Sequence, residues 1–432
     1  MKIQFQLLVI LSLISCGFVS AQSADYQRTS KMATEIESKV IEWRHHLHAN
    51  PELSNREFET AAYVETHLRK LGIEVETKVA HTGVIGILKG GKPGKTIALR
   101  ADMDALPVRE VVDLPYASKV EMEYRGETVP VMHACGHDTH VAMLMGAAEV
   151  LSKRKSEIAG TIIFIFQPAE EGAPPGEEGG ASLIVKEGWM EKLKIDRAFG
   201  IHINSQTPVG TVRYKAGGMM AASNRFNIKV NGKQAHGSRP WAGVDPITAA
   251  AQIIQGLQLI ISRQTELTNE AAVISIGKIE GGVRENIIPN EVNMIGTIRT
   301  LDEGMKTEIF RRIHTTATSI AESSGASAEV TIEDGNPVTF NDPEFTALMV
   351  PTLEATAGAE HVKITKAITG AEDFSFYAQE VPSLFVFLGG MNPETDPKEA
   401  AGHHTPDFQV DDRGMKLGVQ LYTNIALDYL KK

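Results

Sequence analysis

Apolar and polar positions follow two different styles along this chain. In the first, apolar residues run on with no polar break, as in Val84 to Leu88, Thr96 to Arg100, Thr161 to Phe166, Ala198 to His202 and Leu384 to Leu388. Such runs predict strands buried on both faces, as in a mostly parallel or mixed sheet between helices. Helices are predicted between them at Lys31 to His48, Val141 to Ser152, about Glu178 to Lys186 and Met415 to Leu430. Ser54-Asn55-Arg56-Glu57 reads as a capping box opening a further helix to Leu71, with Gly72 to stop it. The second style begins near Gly217. Arg225 to Val230, Val292 to Arg299 and Ala328 to Glu333 alternate, with a strand at Ala272 to Ile276 and helices at Pro246 to Ser262 and Glu303 to Ser323. That order of strand, helix, strand, strand, helix, strand predicts a small ferredoxin-like α+β domain with one solvated sheet face. The expected organisation is one α/β domain in two pieces, 22–216 and 335–432, interrupted by 217–334.

Charge narrows the partners. The 432 residues carry 43 Lys+Arg against 54 Asp+Glu, a net charge of −11. Phosphate binding relies on clustered Lys and Arg, so nucleic acid is not expected as a partner. Gly94-Lys95-Thr96 looks like the end of a phosphate loop, but a strand follows where a helix is needed, so it reads as a turn. Residues 1–21 read as a secretory signal peptide: Lys2 is the only charge, Leu7 to Ile14 is a short apolar run, and Val19-Ser20-Ala21 precedes the cut. Leu13-Ile14-Ser15-Cys16 also matches a lipobox, which would leave Cys16 lipidated. Either way the protein is expected outside the cytoplasm, periplasmic or secreted. No later segment has the roughly 20 apolar residues of a transmembrane helix. Removing the signal leaves Cys135 as a lone thiol, either a small buried hydrophobe or a sulfur occupied by a metal.

The chemistry-bearing residues fall at element ends. Asp102 and Asp104 follow one strand, Glu170 and Glu171 another, and His202 ends a third. Cys135 and His137 stand at a helix start, and His403-His404 follows the run ending at Leu388. Ligand crevices of open α/β sheets lie outside the carboxyl ends of the strands. Five segments therefore converge with Cys, His and Glu, a transition-metal ligand set. Each piece alone has an ordinary structural reading; their joint placement carries the argument. Adjacent Glu170 and Glu171 offer one carboxylate as ligand and another as general base. A non-catalytic exported metal- or amino-acid-binding protein would have no use for that second carboxylate.

Four ordered motifs sharpen this: Arg100-Ala-Asp102-Met-Asp104-Ala-Leu-Pro107, His133-Ala-Cys135-Gly-His137-Asp138, Gln167-Pro-Ala-Glu170-Glu171-Gly172 and His404-Thr-Pro406. With them the chain resembles the aminoacylase-type metallo-amidohydrolases (peptidase family M twenty, subfamily D), from about His48 to Phe408. These include hippurate hydrolase, N-acyl-amino-acid deacylases and the plant indole-acetyl-amino-acid hydrolases. The resemblance implies a zinc-exopeptidase-like fold, a lid that also forms a homodimer, and two divalent metal ions, whether zinc, manganese, nickel or cobalt. It implies Cys135, His137, Glu171, His202 and His404 as metal ligands, with His404 chosen over His403 for its spacing from Pro406. Asp104 would stand beside the ligands rather than among them, and Glu170 would be general base on a metal-bound water. In the lid, His236 would reach the partner subunit's active site and steady the oxyanion, and Asn286 and Arg299 would bind the substrate carboxylate. Glu372, in Gly370-Ala371-Glu372-Asp373-Phe374, would line the pocket. His45, His46, His48, His133 and His140 are read as supporting residues. The implied reaction splits an N-acyl amino acid into a carboxylic acid and a free amino acid, the nearest alternative being an exported metallo-dipeptidase or carboxypeptidase.

Overall fold

The computed structural model describes the backbone of residues 2–431 and the side chains of residues 24–431. The signal-peptide reading of 1–21 and the lipidation of Cys16 lie outside the side chains described. Among the described residues, no helix is long and apolar enough to cross a membrane.

Two compact units share the chain. The first holds residues 1–215, 341–365 and 380–432, and the second holds 216–340 and 366–379. In chain order the first unit begins with helices α1 (Lys2–Ala49) and α2 (Phe58–Lys70) and strands β1 (Glu74–Val79), β2 (Gly83–Lys89) and β3 (Lys92–Asp102). Helix α3 (His137–Lys153) and strands β4 (Ala159–Gln167), β5 (Arg197–Pro208) and β6 (Val212–Tyr214) follow. The second unit then contributes β7 (Ala222–Asn231), α4 (Pro246–Gln264), β8 (Ala272–Gly281), β9 (Glu291–Thr300), α5 (Glu303–Ser323) and β10 (Ser327–Asn336). The chain returns to the first unit with α6 (Pro343–Ala357), β11 (Val362–Ile364), β12 (Ser383–Met391) and α7 (Met415–Lys431).

The first unit is built on an eight-stranded mixed sheet in the order β1-β2-β4-β3-β5-β12-β6-β11. Its centre, β4-β3-β5-β12, is parallel throughout. The unbroken apolar runs occupy that centre, and β12 is buried along its whole length. Helices α1, α3 and α7 pack on one another, and α3 and α7 also lie on β3. Helix α3 is therefore enclosed on nearly every side, and each residue from His137 to Leu151 is buried. Parallel pairing brings the carboxyl ends of β3 and β4 side by side, with Asp102 opposite Gln167. Pairing of β3 with β5 stops at Arg100 and Gly200, but β5 runs on to Pro208. His202 therefore sits within its strand rather than at its end, just past the last β3 partner.

The second unit is a four-stranded antiparallel sheet in the order β8-β9-β7-β10, which is the ferredoxin-like arrangement. Alternation along β7 sends Phe226, Ile228 and Val230 into a core shared with Ile253 and Leu257 of α4 and Ile309 and Ile313 of α5. Asp245 and Asp302 cap these helices, accepting the Ile247 N–H at 2.8 Å and the Met305 N–H at 2.7 Å. Segment 366–379 also belongs here, held by the Ile368 N–H donating to Met219 at 3.0 Å.

Two local expectations are corrected. Helix α3 starts at His137, not Val141, after Gly136 turns the backbone at φ +87°. A Cβ at Gly136 would stand 2.4 Å from Ile203 Cγ2, so only glycine fits. Ser54-Asn55-Arg56-Glu57 is not a capping box either, because α2 begins at Phe58 with no side-chain cap. Ser54 and Glu57 face inward instead, Ser54 toward Asp104 and Glu57 toward Ala169 and Thr82.

Candidate metal centre

Cys135, delivered by the turn before α3, is buried and unpaired. Three imidazoles approach its sulfur: His404 Nε2 at 3.3 Å, His202 Nε2 at 3.4 Å and His403 Nδ1 at 3.6 Å. Glu171 Oε1 lies 3.0 Å from His404 Nε2. Ligand atoms fall within 4.8 Å of one another in the sets Cys135–His202–His403, Cys135–Glu171–His404 and His137–Glu170–Glu171. Cys135 links the first two sets and Glu171 links the last two. The five ligands implied by the motifs are thus brought together on the first unit, with Glu170 beside them.

The His137 and His202 imidazoles are each oriented by the other ring nitrogen. His137 Nδ1 donates to the Asp104 carbonyl at 2.8 Å, and among the described residues its buried Nε2 has no hydrogen-bond partner. His202 Nδ1 donates to the Ile203 carbonyl at 2.6 Å, which leaves the Nε2 lone pair toward Cys135. Fixing one ring nitrogen so that the other faces the ion is how proteins orient histidine ligands. His140 is committed elsewhere: Nδ1 meets Asp102 at 2.5 Å, and Nε2 accepts the Ile203 N–H at 2.8 Å.

The electrostatics suit a cation. Burial pulls the His137 imidazole down, but Asp102, Asp104 and Glu171 outweigh it and raise it to about 10. Burial, then the carboxylates of Glu171, Glu170 and Asp102, push the Cys135 thiol well above its ordinary range. An anionic sulfur there needs a positive partner, which a divalent ion supplies. Burial, with His140 and His403 nearby, holds His202 well below its ordinary value, so it is neutral and its lone pair is available. A buried thiol, a neutral His202 imidazole, an orphaned His137 Nε2 and surplus carboxylate fit divalent transition metals.

Two carboxylates support the Glu170–Glu171 loop from below. Asp104 accepts the Glu170 N–H at 3.1 Å and the Glu171 N–H at 3.0 Å, and also takes the Ser54 hydroxyl at 2.7 Å. Glu57 accepts the Ala169 N–H at 2.9 Å and the Thr82 hydroxyl at 2.5 Å. Burial, then the nearby Asp104, raise the Glu57 carboxyl to about 8. Ala169 takes a left-handed φ of +53°, so the loop is a constrained turn.

The remaining predicted residues lie in the second unit. His236 is exposed, and its Nδ1 accepts the Ser238 N–H at 3.1 Å, which leaves the ring proton on Nε2 facing outward. Its two-residue strand pairs with Ile287–Ile288, and the Gly237 N–H donates to the Asn286 carbonyl at 2.8 Å. His236 and Asn286 are therefore neighbours. Asn286 Oδ1 is buried with no hydrogen-bond partner among the described residues. Arg299, on β9, donates to the Thr297 hydroxyl and to the Ile298 carbonyl at 3.0 Å. The buried Glu372 accepts the Phe374 N–H at 3.0 Å.

A second buried network braces α3. His48 Nδ1 lies 2.9 Å from Asp138 and Nε2 lies 3.2 Å from Glu110. Burial pulls His48 down, but Asp138 and Glu110 prevail and raise it to about 9. Burial works against the Asp138 charge, but Arg44 and His48 hold its carboxyl well below the usual range. His48 binds its proton more tightly when folded, so its contribution is complete below the ordinary 6.5 and fades as pH climbs toward 9. The Asp138 contribution is complete above the ordinary 3.8 and fades as pH falls below it. Urea denaturation across pH should show stability declining from pH 6.5 to 9 in the parent and a flatter profile in His48→Gln. Equal slopes in the two proteins would refute this assignment.

Two features escaped the sequence reading. His403 reaches the sulfur as His404 does, although the spacing from Pro406 singled out only His404. Ser54 and Glu57 were hidden because a capping box and a carboxylate brace share one polar pattern.

Peptidase family M20/M25/M40 matches residues 98–428. The chain belongs to this family. Family membership makes it a hydrolase of amide bonds, and the motif resemblance is borne out. Thermostable carboxypeptidase 2 of Saccharolobus solfataricus is 42% identical over 404 residues, covering 92% of this chain and 97% of that protein. N-acetyl-L-cysteine deacetylase of Bacillus subtilis is 38% identical, covering 87% of this chain and 85% of the relative. The crystal structure of a dinuclear metal binding peptidase of the M20 family from Bacillus subtilis superposes with a TM-score of 0.76 at 33% identity. That match covers 92% of this chain and 99% of the other.

Proposed function

We propose that this hydrolase splits N-acyl amino acids into a carboxylic acid and a free amino acid. Two divalent ions would be held by Cys135, His137, Glu171, His202 and His404. Bound there, they supply the Lewis acidity that polarises an amide carbonyl and acidifies water. The observation that carries this reading is the asymmetry between two neighbours on one constrained turn. Glu171 stands in both the Cys135–His404 set and the His137 set, whereas Glu170 shares the His137 set, its Oε2 3.9 Å from His137 Nε2, but stands in neither set that contains Cys135. Glu171 thus serves as ligand, and Glu170 takes the proton from the attacking water and passes it to the leaving nitrogen. Asp104 and Glu57 keep the two side chains in register by holding three successive backbone N–H groups.

In the second unit, His236 presents its Nε2–H to the developing oxyanion, while Asn286 and Arg299 hold the substrate carboxylate and Glu372 lines the pocket. The chain would work as a homodimer through this unit. The deacetylase relative supports an acyl substrate, whereas the carboxypeptidase relative favours a second reading, removal of a C-terminal amino acid from a peptide. Amino-acid release from N-acetyl- and N-benzoyl-amino acids, dipeptides and longer peptides separates the two. Our reading expects kcat/KM to be highest for the N-acyl amino acids, and preference for longer peptides would overturn it.

A further inference from the structure

The tandem His403-His404 turns on a left-handed residue, His404 at φ +64°, so that both rings reach the sulfur of Cys135. The segment is fastened on both sides. The His404 N–H donates to the Ala134 carbonyl at 2.8 Å, and the Ser205 hydroxyl donates to the Ala401 carbonyl at 2.7 Å. The two rings are nevertheless in different chemical states. The backbone N–H of Ser205 donates to His403 Nε2 at 3.3 Å, so that nitrogen uses its lone pair and carries no proton. The ring proton of a neutral imidazole must then sit on Nδ1, which faces Cys135 Sγ at 3.6 Å. Flipping the ring would set carbon against both the Ser205 N–H and the sulfur, which disfavours the other orientation. His404 points Nε2 at the same sulfur and at Glu171, with no backbone donor on that nitrogen among the described residues.

We infer that the two histidines divide their work around Cys135: His404 binds metal, and His403 donates its Nδ1–H to the sulfur without binding metal. The inference rests on Cys135 being a metal ligand, as proposed above. A thiolate that accepts a hydrogen bond gives up less charge to its ion and is harder to protonate or oxidise. Partners of this kind commonly change metal affinity about 10- to 100-fold when removed.

The test uses the full-length protein loaded with Co²⁺, whose sulfur-to-cobalt charge-transfer band reports the electron density on sulfur. His403→Leu removes the donor, and His403→Asn keeps an N–H close to the position of Nδ1. In His403→Leu the band should move to longer wavelength and Co²⁺ affinity should fall about 10-fold or more. Cobalt stoichiometry should stay that of the parent, and His403→Asn should restore both band and affinity. A band unmoved in His403→Leu overturns the hydrogen bond alone. Loss of one cobalt per chain in both variants overturns it by making His403 a ligand. A parent without any such band removes Cys135 from the coordination shell, which refutes the underlying reading and this inference with it.

Discussion

Glu170→Gln should lower turnover by about 10² to 10⁴-fold while metal content stays that of the parent. The amide keeps the shape of the side chain and removes the basic oxygen. The turn beneath should survive, because Asp104 holds the backbone of residue 170 rather than its side chain. Glu171→Gln should behave differently. Its carboxylate stands 3.0 Å from His404 Nε2 and within reach of Cys135, so neutralising it should weaken metal binding, with activity partly restored by excess metal. Metal stoichiometry and kcat measured on both variants decide the matter. Metal lost from Glu170→Gln and retained by Glu171→Gln would reverse the two roles.

Arg44→Met should destabilise the fold by about 3–5 kcal/mol, the usual cost of leaving one member of a buried ion pair without its partner. Arg44 is 1% exposed and donates to Asp138, which is fully buried, at 3.1 Å, and to the Val410 carbonyl at 3.1 Å. Methionine fills the stem of the side chain but leaves the Asp138 carboxylate, among the described residues, with His48 as its remaining side-chain partner. Asp138 directly follows His137 in the first turn of α3, so metal affinity should fall together with stability. The double variant Arg44→Met/Asp138→Asn should recover part of the loss, because the stranded charge is then gone. Urea unfolding at pH 6 measures both. A loss below about 1 kcal/mol, within the range of surface ion pairs, would show that solvent reaches Asp138.

Much of this protein was legible because its strongest signals are local. Unbroken apolar runs marked β4 and β12 as buried strands, and alternation in β7 and β9 marked a sheet with one open face. The ligands were legible as a set because β3, β4 and β5 are parallel neighbours, so residues just past their apolar runs had to meet. What escaped depends on tertiary contacts. The pattern at Ser54 to Glu57 is that of a helix cap, and only the fold reveals that its polar groups turn toward Asp104 and Ala169. Helix α6 has Pro351 in its interior and a weak polar face, so periodicity did not mark it. The return of residues 366–379 to the second unit rests on backbone pairing with Met219 and Ala221, which no side-chain pattern announces. The role of His403 turns on which nitrogen bears its proton, and a backbone amide 198 residues away in sequence decides that.

The claim that Cys135 anchors a catalytic metal centre is tested most directly by the rate of N-acyl amino acid hydrolysis as the protein is stripped and refilled. Chelation should abolish amino-acid release, and stepwise return of a divalent metal should restore it to a plateau at two ions per chain. Release that continues unchanged in fully stripped protein would contradict the account.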